Sequence, residues 1–435
     1  MKAFSGKRFP HATGLGAVIT LTALALITSA CSSDSGEVPS ALESASHKDK
    51  EDKAKTDAVK LSDKPLWSKE THDDLELDKS LLNGTRILGD KVAFVREDDE
   101  AQTRLVVADA KSGKAAWKLD KDDTLPGSGD LLADHLSVEP LGAASDAKAL
   151  LVEYHKAATL ADGSTGEEEG IAALSLKDGR MLWSLPVSIA PENDDVVLLE
   201  AASSSHVALS LIPVNDDSRD NELIMVDAEE HEIAWRKKSL DATGFAGGTV
   251  IADKEEAGDE VTVVGLKASN GEKRWELDGG EDPRILAITP ESIVASVSEA
   301  VHVIEPESGD TREKLGISAN FCRFDGKTTV ACQVHENDLG SPATAISVIE
   351  GIDTKPTTTP LANTDDVTLT NFHNGRIFSE GRDSEGGTYV ALDTAGTTIA
   401  KKLPGRLIDL SESVAVFAYS RDYEETVMEI YEVET

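Results

Sequence analysis

Apolar and polar positions along the chain fall into a repeated order. An apolar run leads into a polar turn, and a second strand follows that ends on a tryptophan. In the clearest copy, Leu105-Val106-Val107-Ala108-Asp109 runs through Ala110-Lys111-Ser112-Gly113 into Lys114-Ala115-Ala116-Trp117. The same register returns as Ala173-Leu174-Ser175-Leu176-Lys177-Asp178-Gly179 and Trp183, with Ser175 in the aspartate place. It returns again as Ile224-Met225-Val226-Asp227, with His231 where glycine is expected and Trp235 closing. A fourth copy is Val263-Val264-Gly265-Leu266-Lys267, then Gly271 and Trp275. Short apolar runs bounded by turn residues predict buried strands. Asp caps its own turn and Gly accepts the left-handed backbone that a short bulged hairpin needs. His231 is therefore expected to strain or reshape its turn. Tryptophan brings a large apolar face and one N–H, which suits packing between neighbouring sheets.

Later copies keep the frame without the indole. Val301-His302-Val303-Ile304-Glu305 leads to Gly309, Ala345 to Glu350 is weaker, and Tyr389-Val390-Ala391-Leu392-Asp393 leads to Gly396. At the front, Pro65-Leu66-Trp67-Ser68 reads as a closing strand with no strands before it. At the back, Val427-Met428-Glu429-Ile430-Tyr431-Glu432-Val433 reads as a penultimate strand with none after it. Joined, the two ends complete one unit and leave no open edge. Closing positions fall near Trp67, Trp117, Trp183, Trp235, Trp275, Glu313, Thr358 and Ala400. A repeat of this length implies an all-β, eight-bladed β-propeller with four strands per blade, closed by the strand near Trp67. Seven blades is the alternative, because the sixth copy is poorly marked. The longest spacing, from Trp117 to Trp183, predicts a surface insertion there.

The start of the chain follows another pattern. Lys2, Lys7 and Arg8 precede an apolar stretch from about Leu15 to Ile27, too short to span a bilayer comfortably. Thr28, Ser29 and Ala30 then lead into Cys31. This is a signal-peptide layout over residues 1–30, and small residues before the cysteine resemble a bacterial lipobox, with Thr28 where Leu is usual. The resemblance implies that Cys31 is lipidated and becomes the new N-terminus. An ordinary secretory signal with a chance cysteine, or an uncleaved anchor, are the other readings of these residues. Residues 32–64 are mostly Ser, Ala, Asp, Glu and Lys and bury too little surface to order themselves, so 31–64 is expected to be a lipidated cysteine and disordered tether. The propeller is expected over 65–435.

Composition narrows the partners. The chain has 435 residues, with 43 Lys+Arg against 80 Asp+Glu and a formal net charge of −37. The tether is almost neutral, so the segment from 65 onward carries about −38. Phosphate backbones are bound by neutralising Lys and Arg. Nucleic acid is therefore excluded as a partner. Of the three cysteines, Cys322 and Cys332 flank Phe324-Asp325-Gly326-Lys327, a hairpin signal that would set them as cross-strand neighbours. A structural disulfide is expected in an oxidising location, with two free buried thiols as the alternative. The acidic runs at 97–100, 192–195 and 215–220 lack EF-hand spacing and read as solvated loop charge. No zinc-type histidine spacing, nucleophile elbow, P-loop or dinucleotide fingerprint occurs, so neither a metal site nor a catalytic residue is expected.

The Val-x-Asp-x-x-x-Gly-x-x-x-Trp units, with Gly113, Gly179 and Gly271 and the tryptophans in register, resemble the repeats of pyrroloquinoline-quinone (PQQ)-type propellers. That superfamily holds quinoprotein dehydrogenases, which bind PQQ and calcium, and non-enzymatic lipoproteins such as the BamB-type assembly factors. The lipobox together with this repeat is most similar to the second group, and the Ala/Thr/Asp-rich composition suggests an actinobacterial version. The dehydrogenase resemblance would require a vicinal Cys–Cys disulfide and a Trp floor under the quinone, and this chain has no adjacent cysteine pair. The expectation is a non-catalytic protein-interaction scaffold without cofactor. It would be lipid-anchored on the outer face of the cell membrane and partnered by another envelope protein. A PQQ- or small-ligand-binding enzyme or sensor is the alternative.

Overall fold

A computed structural model describes residues 60–62, 64–72, 85–97, 103–133, 139–191, 195–213, 221–255, 261–277, 283–298, 300–335, 345–350, 357–360, 368–373, 375–383, 386–394, 398–401, 403–421 and 425–434. These residues form strands and connecting turns, with no helix among them. The signal segment, Cys31, Gly396 and most of the acidic runs lie outside the described residues.

The chain opens with β1 (Lys60–Leu61) and β2 (Trp67–His72). Blade 1 follows as β3 (Thr85–Leu88), β4 (Lys91–Glu97), β5 (Thr103–Asp109) and β6 (Ala115–Asp120). Blade 2 is β7 (Leu132–Ala133), β8 (Glu139–Pro140), β9 (Ala149–Thr159), β10 (Thr165–Ser175) and β11 (Met181–Ala190). Blade 3 is β12 (Asp195–Ala202), β13 (His206–Pro213), β14 (Glu222–Asp227) and β15 (Glu232–Lys238). Blade 4 is β16 (Leu240–Ala246), β17 (Thr249–Glu255), β18 (Val261–Lys267) and β19 (Lys273–Glu276). Blade 5 is β20 (Arg284–Ile288), β21 (Ile293–Val297), β22 (Ala300–Ile304) and β23 (Thr311–Leu315). Blade 6 is β24 (Ser318–Phe324), β25 (Thr329–His335), β26 (Ala345–Glu350) and β27 (Thr357–Pro360). Blade 7 is β28 (Thr368–His373), β29 (Arg376–Asp383), β30 (Gly386–Asp393) and β31 (Thr398–Lys401). Blade 8 takes β32 (Arg406–Leu410), β33 (Val414–Arg421) and β34 (Glu425–Glu434), and borrows β1 and β2 as its outer strand.

Each blade is an antiparallel meander, and eight of them make the expected eight-bladed propeller. The middle strands are apolar on both faces because each blade is sandwiched between two others. Leu105, Val106, Val107 and Ala108 are all buried. Eight clusters of buried side chains fill the ring, one at each junction between successive blades. The ring closes where Ile87, Phe94 and Val106 of blade 1 meet Val416, Met428 and Ile430 of blade 8.

The closing strand is where sequence and structure meet most directly. Trp67 pairs with Ile430 across β2 and β34, so the N-terminal strand completes the C-terminal blade. Pairing begins earlier than residue 65, since Lys60 and Leu61 already pair with Glu434 and Val433. The propeller thus extends into the segment read as tether. The insertion expected between Trp117 and Trp183 is there too. It takes the form of a split inner strand, β7 and β8, and the lengthened β9–β10 hairpin of blade 2.

Candidate functional site

The repeat residues meet between blades, not within them. The Trp67 Nε1 donates to Ala110 O of blade 1 at 2.9 Å, and its ring lies against Gly113 of the same turn. Trp117 repeats this on blade 2, donating to Leu176 O at 3.1 Å beside Gly179. Trp235 donates to Ala268 O at 2.7 Å beside Gly271, and Trp275 to Pro306 O at 2.7 Å beside Gly309. A Cβ on Gly113 would stand 2.6 Å from a Trp67 ring carbon, and Gly113 sits at φ +66°. Glycine is therefore required twice over, by backbone and by space. The turn is held from within. Asp109 Oδ1 accepts from the Ser112 N–H and hydroxyl at 2.9 and 2.8 Å, which holds its carboxyl below the usual range.

His231 strains its turn without reshaping it, one of the two outcomes expected of a residue other than glycine here. Its φ is +57°, and its N–H donates to Asp227 O at 2.9 Å, as Gly113 N–H does to Asp109 O. The turn is not reshaped. Instead the imidazole stacks on Trp183, with ring centroids 4.8 Å apart and planes 27° apart. A flat side chain stands where the other junctions place bare backbone under the indole.

The indole positions of blades 5, 6 and 7 hold Glu313, Thr358 and Ala400, paired with Val303, Ser347 and Ala391 in the same register. Between blades 6, 7, 8 and 1, polar side chains reach across the innermost strands. Gln333 Oε1 accepts from Leu369 N at 3.0 Å, and Asn371 Nδ2 donates to Ile408 O at 3.1 Å. Asp409 Oδ2 accepts from Ile87 N at 2.7 Å, which ties blade 8 to blade 1. Glu153 and Glu169 of blade 2 do the same for Leu199 N and Val197 N of blade 3, each at 2.9 Å. An innermost strand is a sheet edge whose free N–H groups need acceptors, and bulges such as those at Glu200, Thr370 and Ile408 interrupt its pairing further. Burial pushes the carboxyls of Asp409, Glu139, Glu200 and Asp253 above their ordinary range, partly offset at Asp409 by its two backbone donors. Sequence reading missed these residues. Their signal is a lone acid inside an apolar run, as in Leu150-Leu151-Val152-Glu153-Tyr154.

Cys322 and Cys332 are directly opposed on β24 and β25 and joined by a disulfide, with Cα atoms 4.0 Å apart, inside the cluster between blades 5 and 6. A quinone site does not fit these residues. All five tryptophans are engaged at blade junctions, so none is left to floor a planar cofactor, and the two cysteines are ten residues apart. Among the described residues no group of three His, Cys, Asp or Glu is placed to hold a metal ion.

Two outer strands carry no charged residue, the short β27 (Thr-Thr-Thr-Pro) and β11, and of the two β11 is the apolar one. Strands β6, β15, β19 and β23 all carry Lys with Glu, Asp or Arg, the usual guard against edge pairing. Strand β11, Met-Leu-Trp-Ser-Leu-Pro-Val-Ser-Ile-Ala, has no charged residue. It leaves Leu182 and Ile189 exposed at 56% and 58%. Pro186 offers no donor, and Val187 O is taken by Arg236 Nη2 of blade 3.

The fold and junctions define a β-propeller built of PQQ-like repeats. The family described as outer membrane protein assembly factor BamB matches residues 58–210 and 171–327, and the chain belongs to it. No curated protein matches. Among solved structures, BamB from Moraxella catarrhalis is 12% identical with a TM-score of 0.32, covering 63% of this chain and 96% of its own. The β-propeller domain of the Trilobed protease from Pyrococcus furiosus is 13% identical with a TM-score of 0.40, covering 65% of this chain and 89% of its own.

Proposed function

We propose that this protein is a lipid-anchored scaffold of the cell envelope, which holds another envelope protein on its propeller without catalysing a reaction on it. Cys31 carries the anchor, and the segment after it tethers the propeller to the outer face of the membrane. Membership of the BamB family supports the scaffold reading, and the signal layout before Cys31 supports the address. The observation that carries the interaction is the uncharged outer edge of β11. An exposed, uncharged strand bearing Leu182 and Ile189 is suited to take a short extended segment of a partner at either end, while Pro186 and the Arg236 contact to Val187 O close its middle. The negative charge of the chain favours a partner with a basic surface.

The test is photo-crosslinking in intact membranes, with a crosslinker at residue 182 or 189 and mass-spectrometric identification of what is captured. One recurrent envelope protein, lost in a Leu182→Glu, Ile189→Glu variant that still folds, is the expected result. The same capture from a residue on β15, or none from β11, rejects this edge as the interface. Anchoring is read separately by fatty-acid labelling, which Cys31→Ser abolishes. A visible absorbance band on adding PQQ and calcium to the purified chain would overturn the non-catalytic reading.

A further inference from the structure

The hairpin turns that receive an indole differ in charge. Those of blades 1 and 2 carry Lys111 with Lys114 and Lys177 with Arg180 beside their acids. That of blade 4 sets Lys267 against Glu272. On blade 5 the acids are neutralised by neighbours, since Arg312 meets Glu305 and Arg274 lies 3.6 Å from Glu307. The β14–β15 turn of blade 3 is the exception. Asp227, Glu229, Glu230 and Glu232 fall within six residues. Among the described residues no lysine or arginine pairs with any of the four, and the three glutamates are exposed.

This acidic turn is the one joined to β11. His231, between Glu230 and Glu232, stacks on Trp183 with ring centroids 4.8 Å apart. The stack replaces the hydrogen bond that the other indoles make. Trp67, Trp117, Trp235 and Trp275 each donate Nε1 to a carbonyl of the next blade. Trp183 Nε1 has no acceptor among the described residues. Leu182 precedes it as the extra residue of a bulge, since Trp183 pairs with Ala173 and Met181 with Leu174, and it is 56% exposed. An exposed apolar side chain, an uncommitted N–H and unneutralised carboxylates are thus contiguous. The cations of blade 2's own turn, Lys177 and Arg180, belong to the junction with blade 1, where Trp117 docks beside Gly179. The far end of β11 lacks this combination. Ile189 and Ala190 pair with Glu168 and Glu167, which already lie 2.9 Å from Lys156 and 4.0 Å from His155.

A single exposed acid gains little from one cation, because water screens the pair. Several acids beside an apolar edge act differently. Their summed field steers a cationic segment to the surface, and apolar contact then holds it there. An edge strand also offers backbone groups to an extended segment. We propose that the 181–185 end of β11 and the β14–β15 turn form one docking surface for an extended, basic and apolar segment of the partner. A large apolar side chain covers Leu182, a backbone carbonyl accepts from Trp183 Nε1, and Lys or Arg meets Glu229, Glu230 and Glu232. This surface rests on the β11 reading above and adds which end is used and which chemistry it takes.

The test titrates the full chain with a short capped peptide of alternating Val and Lys, and separately with its Val and Glu counterpart. It reads heat together with the five indole N–H signals of the isotope-labelled protein, Trp183→Phe identifying the one from Trp183. Saturable binding of the basic peptide alone is expected, with the Trp183 signal moved and the affinity falling as sodium chloride is raised. Leu182→Ser weakens it about tenfold, the effect of losing a buried apolar anchor, and more than Ile189→Ser does. Glu229→Gln, Glu230→Gln and Glu232→Gln together weaken it by about as much. Glu272→Gln, Glu307→Gln and Asp310→Asn together remove the same charge from exposed positions on blades 4 and 5 and leave binding unchanged. No binding of the basic peptide, binding that leaves the Trp183 signal in place, equal loss from the two triple variants, or a loss at Ile189→Ser as large as at Leu182→Ser overturns the proposal. A membrane crosslink from residue 182 or 189 found alongside any of these results keeps the β11 edge and removes only this docking surface. Where the blade 3 triple variant does not fold, Glu230→Gln alone replaces it, weaker binding supporting the surface and unchanged binding overturning it.

Discussion

His231 stacks on Trp183 in the place where Gly113 lies beneath Trp67, and it keeps the same left-handed turn. One junction has exchanged close approach of backbone for contact between two rings. His231→Gly relieves a positive φ worth roughly 1–2 kcal/mol and loses a ring contact worth about 0.5–1.5 kcal/mol. Thermal unfolding of that variant is expected within about 1 kcal/mol of the parent. Gly113→Ala, in contrast, forces a Cβ into the Trp67 ring and is expected to cost about 1–3 kcal/mol. Equal effects at the two sites would show that the indole does not dock as described.

Trp67 ties both ends of the chain, since it pairs with Ile430 of blade 8 and docks on Gly113 of blade 1. Trp67→Ala removes a large aromatic from the closing junction and is expected to lower stability by about 3–5 kcal/mol. Deleting 60–72 goes further, because it bares β34 as a new sheet edge. Limited proteolysis should then cut the chain at its C-terminal blade first. Unchanged melting and protease resistance would mean that the ring closes some other way.

The Cys322–Cys332 bond closes a short loop across one hairpin. Chain-entropy arguments give a bridge of this kind about 2–3 kcal/mol. Replacing both cysteines by alanine should lower the unfolding free energy by about that amount and leave the fold intact. Mass spectrometry of the unreduced protein should find neither thiol available for labelling.

Four half-buried acids impose a pH dependence. Burial, and then the neighbouring charge of Asp241, raises the Asp253 carboxyl above its ordinary value, and Glu139, Glu200 and Asp409 are raised chiefly by burial. A raised folded-state pKa means that the native protein binds the proton more tightly. Its contribution is fully present below the unfolded value, 3.8 for Asp253, and is lost as pH rises through the folded value. Asp253→Asn is therefore expected to raise the melting temperature at pH 7, with a smaller gain near pH 4. A gain that grows on acidification would contradict that sign. Asp109, Asp227 and Glu305 shift the opposite way through their turn and ion-pair donors, so stability falls again once these exposed acids protonate.

The architecture was legible because one register recurs. Trp67, Trp117, Trp183, Trp235 and Trp275 announced the closing strands, and even unmarked Glu313, Thr358 and Ala400 fall at the paired position they imply. The start of the propeller was harder to place. Lys60 and Leu61 sit in polar sequence, and one leucine packed on the cluster between blades 7 and 8 makes no apolar pattern to read.

By itself the sequence determined the blade, because strand, Asp-Gly turn and indole are local choices repeated at a steady period. It also carried the closure of the ring, in two incomplete ends that complement each other. Only the tertiary structure decided what each indole touches: the turn of the following blade, some 31 to 59 residues along the chain. It alone brought Asp409 to Ile87, 322 residues apart. Contacts between blades depend on side chains far apart in sequence being set side by side by the ring, and no spacing along the chain encodes that.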